Sequence, residues 1–369
     1  MSPLRVLLAG GGSGGSATPV LAVGLALRAR RPDTLFLFVG TAAGPEHALA
    51  EAAAIPFAAV AAGKLRRYWD WRNLVDIGRV PLGVLQASRL VRAFRPHVAF
   101  GAGGFASVPP LLAAALAGVP VLIHQQDVVP GLANRLLTPC ARRISVTFPD
   151  SRRHFPARRT VVRGNPVRPG ILTGDPERAR ARFGLEPQTP TLLVTGGGTG
   201  ALELNRRVAA AVPLLTAFCQ VLHLTGRGRA VPPACAHPRY HAYEFLVDEM
   251  ADALAVADLV ISRAGLGAIS ELAALGKPMV LVPLPGSHQL ANARAVARAG
   301  AARVVDQAAL TPERLTGLVR ELLDDAPGRA ALGAAARRLL PADAAERLAA
   351  DLLQLAGGAP VTTVARAGG

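Results

Sequence analysis

The chain has 369 residues, enough for two domains at roughly 150 residues each. With 51% hydrophobic and 18% charged residues it carries apolar surface for two cores, which excludes disorder over most of its length, while 4% aromatic residues argue against an aromatic-stacking nucleic-acid module. The net charge of +16, with every basic residue except Lys64 and Lys277 an arginine, predicts an anionic partner: nucleic acid, anionic lipid or a phosphorylated small molecule.

In chain order, Leu4 to Ala9 reads as a short strand running into Gly10-Gly11-Gly12-Ser13-Gly14-Gly15 and then an Ala/Leu/Val-rich helix. Strands follow at Leu35 to Val39, His97 to Phe100, Val119 to Ile123 and Arg143 to Thr147, with helical patterns at Leu82 to Arg92 and Pro110 to Leu116. Val98 to Ile123 has no charge and is long enough to span a bilayer. Its glycines and prolines instead predict strand, loop, helix, strand. Ser151 to Pro169, arginine-rich and broken by proline, is the natural crossing between domains.

The second half opens like the first, with Thr191 to Thr195 followed by Gly196-Gly197-Gly198-Thr199-Gly200 and a helix. Further strands are expected at Val221 to Thr225, Leu259 to Ser262, Met279 to Pro283 and Ala302 to Val305, then helix from Thr311 to Leu355 and a frayed tail. Two strand, glycine loop, helix units are the openings of two doubly wound α/β domains. The expected boundaries are 1–163 and 164–340, a helix over 341–357 returning to the first domain, and a flexible tail over 358–369.

The three cysteines, Cys140, Cys219 and Cys235, give neither a disulfide framework nor a zinc ribbon. The stretch after Met1 is too short an apolar run for a signal peptide. The first loop satisfies G-x-G-x-x-G through Gly10, Gly12 and Gly15, but no carboxylate follows the second strand for a dinucleotide ribose. Bare amides at the two helix starts suit a diphosphate instead. In Ser262-Arg263-Ala264-Gly265-Leu266-Gly267-Ala268-Ile269-Ser270-Glu271 a strand ends in a turn and a helix begins, with Glu271 just inside. That carboxylate can accept bonds from the vicinal hydroxyls of a ribose beside a diphosphate. No D-x-D occurs, and Cys235, His237 and His241 lack a fourth ligand, so no metal or other cofactor is expected.

The two glycine loops, Gly101-Ala102-Gly103-Gly104-Phe105, His124-Gln125-Gln126-Asp127 through Gly131-Leu132-Ala133-Asn134, Gly164-Asn165-Pro166-Val167-Arg168, the Ser262 to Glu271 segment, and His288-Gln289 with Asn292-Ala293 follow the order and spacing of the MurG family. The chain resembles that family from about Leu4 to about Leu355. The resemblance implies a GT-B fold, two Rossmann-like parallel-sheet domains facing a cleft. It also implies a metal-independent, inverting transfer of N-acetylglucosamine from UDP-GlcNAc to the lipid-linked acceptor lipid I, giving lipid II for peptidoglycan.

By the same resemblance the donor meets Ser13, Gly14, Gly15, Asp127, Arg168, Gly198 and Thr199. It also meets Leu246 or Val247 at the uracil, Leu266, Gly267, Ala268, Ile269, Ser270 and Glu271 at diphosphate and ribose, and Gln289 at the sugar. The acceptor meets Gly11, Gly12, Ser16, Gly103, Gly104 and Phe105. Ser16 stands where the family has a loop histidine, and Gln125 and Asp127 where it has Glu and Asn. A serine hydroxyl is no base near neutral pH, so Asp127 or His124, at the C-terminal end of a strand, is expected to take the acceptor proton. Arg66, Arg67, Trp69, Trp71 and Arg72 suit an anionic lipid headgroup boundary, and the resemblance implies a peripheral protein on the cytoplasmic face of a bacterial membrane. A related transferase with another lipid acceptor, and a UDP-binding protein with little turnover, are the alternatives. Nucleic acid is not expected, because the arginines are scattered rather than gathered in a recognition module.

Overall fold

The computed structural model describes residues 3–12, 14–63, 72–197, 201–229 and 236–357, and the side chains of 72–78 are outside that description. The chain packs as two units. One comprises Met1–Gln126, Pro130–Pro166 and Asp343–Gly369, and the other Asp127–Val129 with Val167–Ala342.

The first unit runs β1 (Arg5–Ala9), α1 (Gly14–Arg30), β2 (Leu35–Gly40), α2 (Glu46–Ala52), β3 (Phe57–Ala59), α3 (Arg72–Phe94), β4 (Val98–Gly101), α4 (Val108–Leu116), β5 (Val121–Gln125), α5 (Leu132–Leu137), β6 (Arg143–Val146) and β7 (Thr160–Val162). Its sheet has the order β3-β2-β1-β4-β5-β6-β7, and every pairing is parallel. Parallel strands need helical crossovers, which cover both faces and leave the central strands apolar on both sides. Val6, Leu8, Phe36, Phe38 and Phe100 point to one core with Val20, Val23 and Leu27 of α1. Leu7, Val39, Ala99, Ile123 and Ile144 point to the other, with Ala87 and Val91 of α3 and Leu111 and Ala114 of α4. The uncharged run from Val98 to Ile123 is strand, 3-10 turn, helix and strand, as expected. No helix among the described residues is long and apolar enough to cross a membrane.

The second unit runs α6 (Pro176–Phe183), β8 (Thr191–Thr195), α7 (Leu202–Leu215), β9 (Gln220–Leu224), β10 (Tyr240–Tyr243), α8 (Met250–Val256), β11 (Leu259–Ser262), α9 (Leu266–Leu275), β12 (Met279–Leu281), α10 (Gln289–Arg298), β13 (Arg303–Val304), α11 (Pro312–Asp324) and α12 (Ala326–Leu339). Its parallel sheet has the order β10-β9-β8-β11-β12-β13. In each sheet the order reverses beside the first strand, the place where open α/β sheets receive ligands at their C-terminal ends.

The last helix, α13 (Ala344–Ala356), belongs to the first unit. Leu348, Ala349, Leu352 and Leu355 recur at helical spacing and close the core beneath α1. Asp351, buried on the same helix, receives Arg143 Nη1 at 2.5 Å and Arg163 Nε at 2.8 Å. The carboxylate neutralises Arg143, itself only 2% exposed. The crossing segment Ser151 to Pro169 includes β7, which pairs with β6, so the first unit runs on to Pro166 before the chain enters the second.

Candidate active site

In the second unit β11 ends at Ser262 and α9 starts at Leu266, with Gly265 as an N-cap that supplies no side-chain bond. The amides of Leu266, Gly267 and Ala268 precede the first intrahelical bond, from Ile269 N to Gly265 O, and so face outward without a helical acceptor. Nothing lies within 4 Å of where a side chain on Gly265 or Gly267 would be. Open space, bare amides and the positive helix end make a site for an anion. Arg263 is buried and fixes the turn from below, donating to Val282 O at 3.1 Å and Gln307 Oε1 at 2.6 Å.

Of the other expected donor residues on α9, Ile269 points into the core, and Ser270 is buried with its Oγ donating to Leu266 O at 2.7 Å. Glu271 is 15% exposed and accepts Arg168 Nε at 3.0 Å. Burial pushes the Glu271 carboxyl above its ordinary range, and the Arg168 guanidinium pulls it back in part. The structure thus brings Arg168 and Glu271 together at the second turn of α9. Leu246 is half-buried and Val247 exposed just after β10, beside Phe245, whose ring lies 4.7 Å beneath the Arg227 guanidinium. Gln289 opens α10, its Oε1 held by Leu284 N at 3.0 Å.

Asp127 is held to this unit by a residue to which sequence reading gave no role. Asn292 Nδ2 donates to Asp127 Oδ1 at 2.8 Å, and its Oδ1 accepts Val128 N at 3.0 Å. Asn292 is wholly buried, whereas the Asp127 side chain is 32% exposed with His288 Nε2 4.0 Å from it. In the sequence Asn292 stands one turn after Gln289 as part of the His288-Gln289 and Asn292-Ala293 motif, with nothing to name its partner.

In the first unit His124 stands one residue before the end of β5 with no exposed surface. Nδ1 meets Ser145 Oγ at 3.1 Å and Nε2 meets Asn165 Oδ1 at 3.0 Å, and burial lowers its pKa to about 4. With both ring nitrogens engaged and no route to solvent, His124 offers nothing to an acceptor hydroxyl, a correction to its expected role as base. Gln125 is buried too, its Oε1 taking Asn134 Nδ2 at 2.7 Å.

The loop positions expected at the acceptor interlock. Ser16, nearly buried, accepts Gly11 N at 3.2 Å and donates to Gly11 O at 3.1 Å, so its hydroxyl closes the loop from within. A side chain on Gly12 would strike the Phe105 ring, and one on Gly104 would strike Gly11 O. Gly103 lies against the Asn134 amide. Gly14 and Gly15 form the first turn of α1. Glu46, absent from the sequence reading, reaches the same loop and accepts Gly12 N at 3.2 Å. Ser13, Gly198, Thr199, Arg66, Arg67, Trp69 and Trp71, and the tail 358–369, lie outside the described residues, as does the side chain of Arg72. Among the described residues no group of three His, Cys, Asp or Glu side chains is placed to hold a metal ion.

Comparison with known proteins matches this division. The family described as "Glycosyltransferase family 28 N-terminal domain" matches residues 6–146, and "Glycosyltransferase family 28 C-terminal domain" matches residues 191–348. A Nocardioides protein is 42% identical over 95% of this chain and 98% of its own, and one from Lachnoclostridium phytofermentans is 36% identical over 87% and 91%. Both are named UDP-N-acetylglucosamine--N-acetylmuramyl-(pentapeptide) pyrophosphoryl-undecaprenol N-acetylglucosamine transferase. Among solved structures, Acinetobacter baumannii MurG superposes with a TM-score of 0.74 at 27% identity, covering 95% of this chain and 99% of that one. A Listeria monocytogenes protein described as a putative UDP-N-acetylglucosamine 2-epimerase shares the fold alone, with a TM-score of 0.73 at 15% identity over 97% and 98%. Two parallel α/β sheets, both family 28 matches and full-length likeness at this level place the chain in the MurG family of glycosyltransferases.

Proposed function

We propose that the protein transfers N-acetylglucosamine from UDP-GlcNAc to undecaprenyl-diphosphate-MurNAc-pentapeptide, lipid I, with inversion at the anomeric carbon. The observation that carries this reading is the degree of likeness. Relatives 36–42% identical over 87–95% of the chain are named for that reaction, whereas the fold at 15% identity also belongs to a protein described as an epimerase.

The geometry supports a division of labour. The bare amides of Leu266, Gly267 and Ala268 receive the UDP diphosphate, and Arg168 adds a cation beside it as charge builds on the leaving β-phosphate. Glu271 accepts the ribose hydroxyls, Leu246 and Val247 border the uracil, and Gln289 turns its remaining amide to the sugar. Asp127, partly exposed and oriented by Asn292, takes the proton of the acceptor hydroxyl as it attacks. Gly14 and Gly15 at the start of α1, with Gly11, Gly12, Ser16, Gly103, Gly104 and Phe105, form the loops that meet the substrates from the first unit. Exposed Arg79, Leu82, Leu85 and Arg89 share one stripe of α3 and, following Trp69 and Trp71 in the sequence, support an anionic membrane surface as the docking partner.

The test offers labelled UDP-GlcNAc with a short-chain lipid I analogue and, separately, with diacylglycerol. Transfer to the first is expected. Transfer to diacylglycerol alone would establish the alternative lipid acceptor, and UDP binding with no transfer to either would establish a binding protein.

A further inference from the structure

His288 stands at the N-cap of α10, yet its side chain makes no capping bond and is 48% exposed, so the helix start does not depend on the imidazole. Its neighbour fastens the turn instead: Ser287 Oγ donates to Leu284 O at 2.7 Å and accepts Gln289 N at 3.3 Å. The His288 ring faces Asp127, with Nε2 4.0 Å from Oδ1, and both residues belong to the second unit. Wholly buried Asn292 donates to that same Oδ1 and accepts Val128 N, which fixes the carboxylate from beneath. Exposure thus rises from Asn292 through Asp127 to His288, from the core to the solvent. In the first unit the Ser16 hydroxyl is engaged with Gly11, so the loop that carries a histidine in the family supplies no proton carrier here.

We propose that His288 is the proton outlet of Asp127: it receives the proton that Asp127 has taken from the acceptor hydroxyl and passes it to water. The proposal rests on the reading that Asp127 is the base. As the acceptor oxygen bonds the anomeric carbon, its O–H bond breaks and the proton goes to Asp127, while the bond from the anomeric carbon to the β-phosphate oxygen breaks and its electron pair leaves with UDP. The Asp127 O–H bond then breaks in turn, Nε2 of His288 takes the proton, and the imidazolium releases the proton on Nδ1 to solvent. Transfer from a carboxylic acid to an imidazole runs downhill on the ordinary acidities of the two groups. A gap of 4.0 Å is too long for a hydrogen bond. A rotamer change of the half-exposed imidazole, or one bridging water, closes it once Asp127 has a proton to donate.

The test is steady-state transfer to the short-chain lipid I analogue at saturating UDP-GlcNAc. His288→Ala is expected to lower kcat about 10- to 100-fold with UDP affinity within about twofold of the wild type, and added imidazole is expected to restore kcat in part. In the Asp127→Asn background the same change is expected to cost nothing further, because the outlet acts only through Asp127. His288→Gln, which keeps a polar side chain at the helix start, supplies the pH profile. The wild type should lose activity as pH falls through the range in which imidazoles gain a proton, and the slower His288→Gln should stay level across it. An undiminished kcat in His288→Ala shows that Asp127 hands its proton straight to water and overturns the proposal. Loss of equal size in the Asp127→Asn background, failure of imidazole to rescue, or one pH profile shared by wild type and His288→Gln overturns it too. Those results leave wild-type transfer intact, whereas a wild type that transfers nothing to the analogue overturns the proposed reaction and the outlet with it.

Discussion

Asp127 and Asn292 are bonded through one carboxylate oxygen, which makes Asp127→Asn an informative change: an asparagine can keep an oxygen toward Asn292 Nδ2 while losing the capacity to accept a proton. The expected result is a fall in kcat of about 10²- to 10⁴-fold with UDP affinity unchanged, read by steady-state kinetics and calorimetry. The second residue-scale prediction follows from the Glu271 carboxyl, raised by burial and lowered in part by Arg168. Only its ionised form accepts both ribose hydroxyls, so UDP binding weakens as pH falls through a midpoint above the ordinary carboxylate value. Arg168→Ala removes the lowering influence and moves that midpoint to higher pH, whereas Arg168→Lys moves it less. UDP titrations across the acid range measure the shift. Glu271 and Arg168 were legible in the sequence because each sits in a short local pattern, a strand-turn-helix start and a Gly-Asn-Pro-Val-Arg run. Glu46 was not, and Asn292 was legible only as a motif residue without a role, because their partners, Gly12 and Asp127, lie far away in the chain. His124 was misread for a related reason: the end of a strand is a good place for a base, but Ser145 and Asn165 come from elsewhere to bury it.

Among the elements, the strands read from sequence are those whose apolar runs are buried on both faces, such as β1, β4, β8 and β11. The three that escaped, β3, β7 and β10, are all edge strands of three or four residues. An edge strand pairs on one side only and needs no continuous hydrophobic run, so Tyr240–Tyr243 carries little local signal. The long helical stretch from Thr311 is three helices, since Asp325 and Asp343 each stand where a new helix begins. At this scale the tie between α13 and β6 invites a stability test. Asp351→Ala leaves Arg143 buried without its counter-ion and is expected to cost about 3–5 kcal/mol in the first unit's unfolding transition, measured by urea denaturation. Arg163→Ala, removing the more exposed partner, costs less.

Each unit also holds one buried neutral histidine at the penultimate position of a strand, His124 in β5 and His223 in β9, where Tyr240 Oη and Asn205 Oδ1 engage the ring. Burial lowers both to a pKa of about 4. The unfolded chain binds these protons near pH 6.5 and the folded chain does not, so stability is lost as pH falls from about 6.5 toward 4, by about 3 kcal/mol for each ring. Denaturation at a series of pH values should show this slope in both transitions, and His124→Gln should flatten it in the first unit alone. A stability that stays level over that range would contradict the burial of both rings.

The return of α13 to the first unit makes that unit discontinuous along the chain, and this bears on how the protein is born. A ribosome releases β1 to β7 long before it has made Leu348, Leu352 and Asp351, and at about 5–20 residues per second the delay is on the order of ten seconds or more. Throughout that interval the nascent first unit shows the greasy underside of α1 and a buried-to-be arginine lacking its partner. The nascent chain is therefore a natural client for chaperones until α13 has emerged, and a message cut short before that helix would yield a product destined for proteolysis.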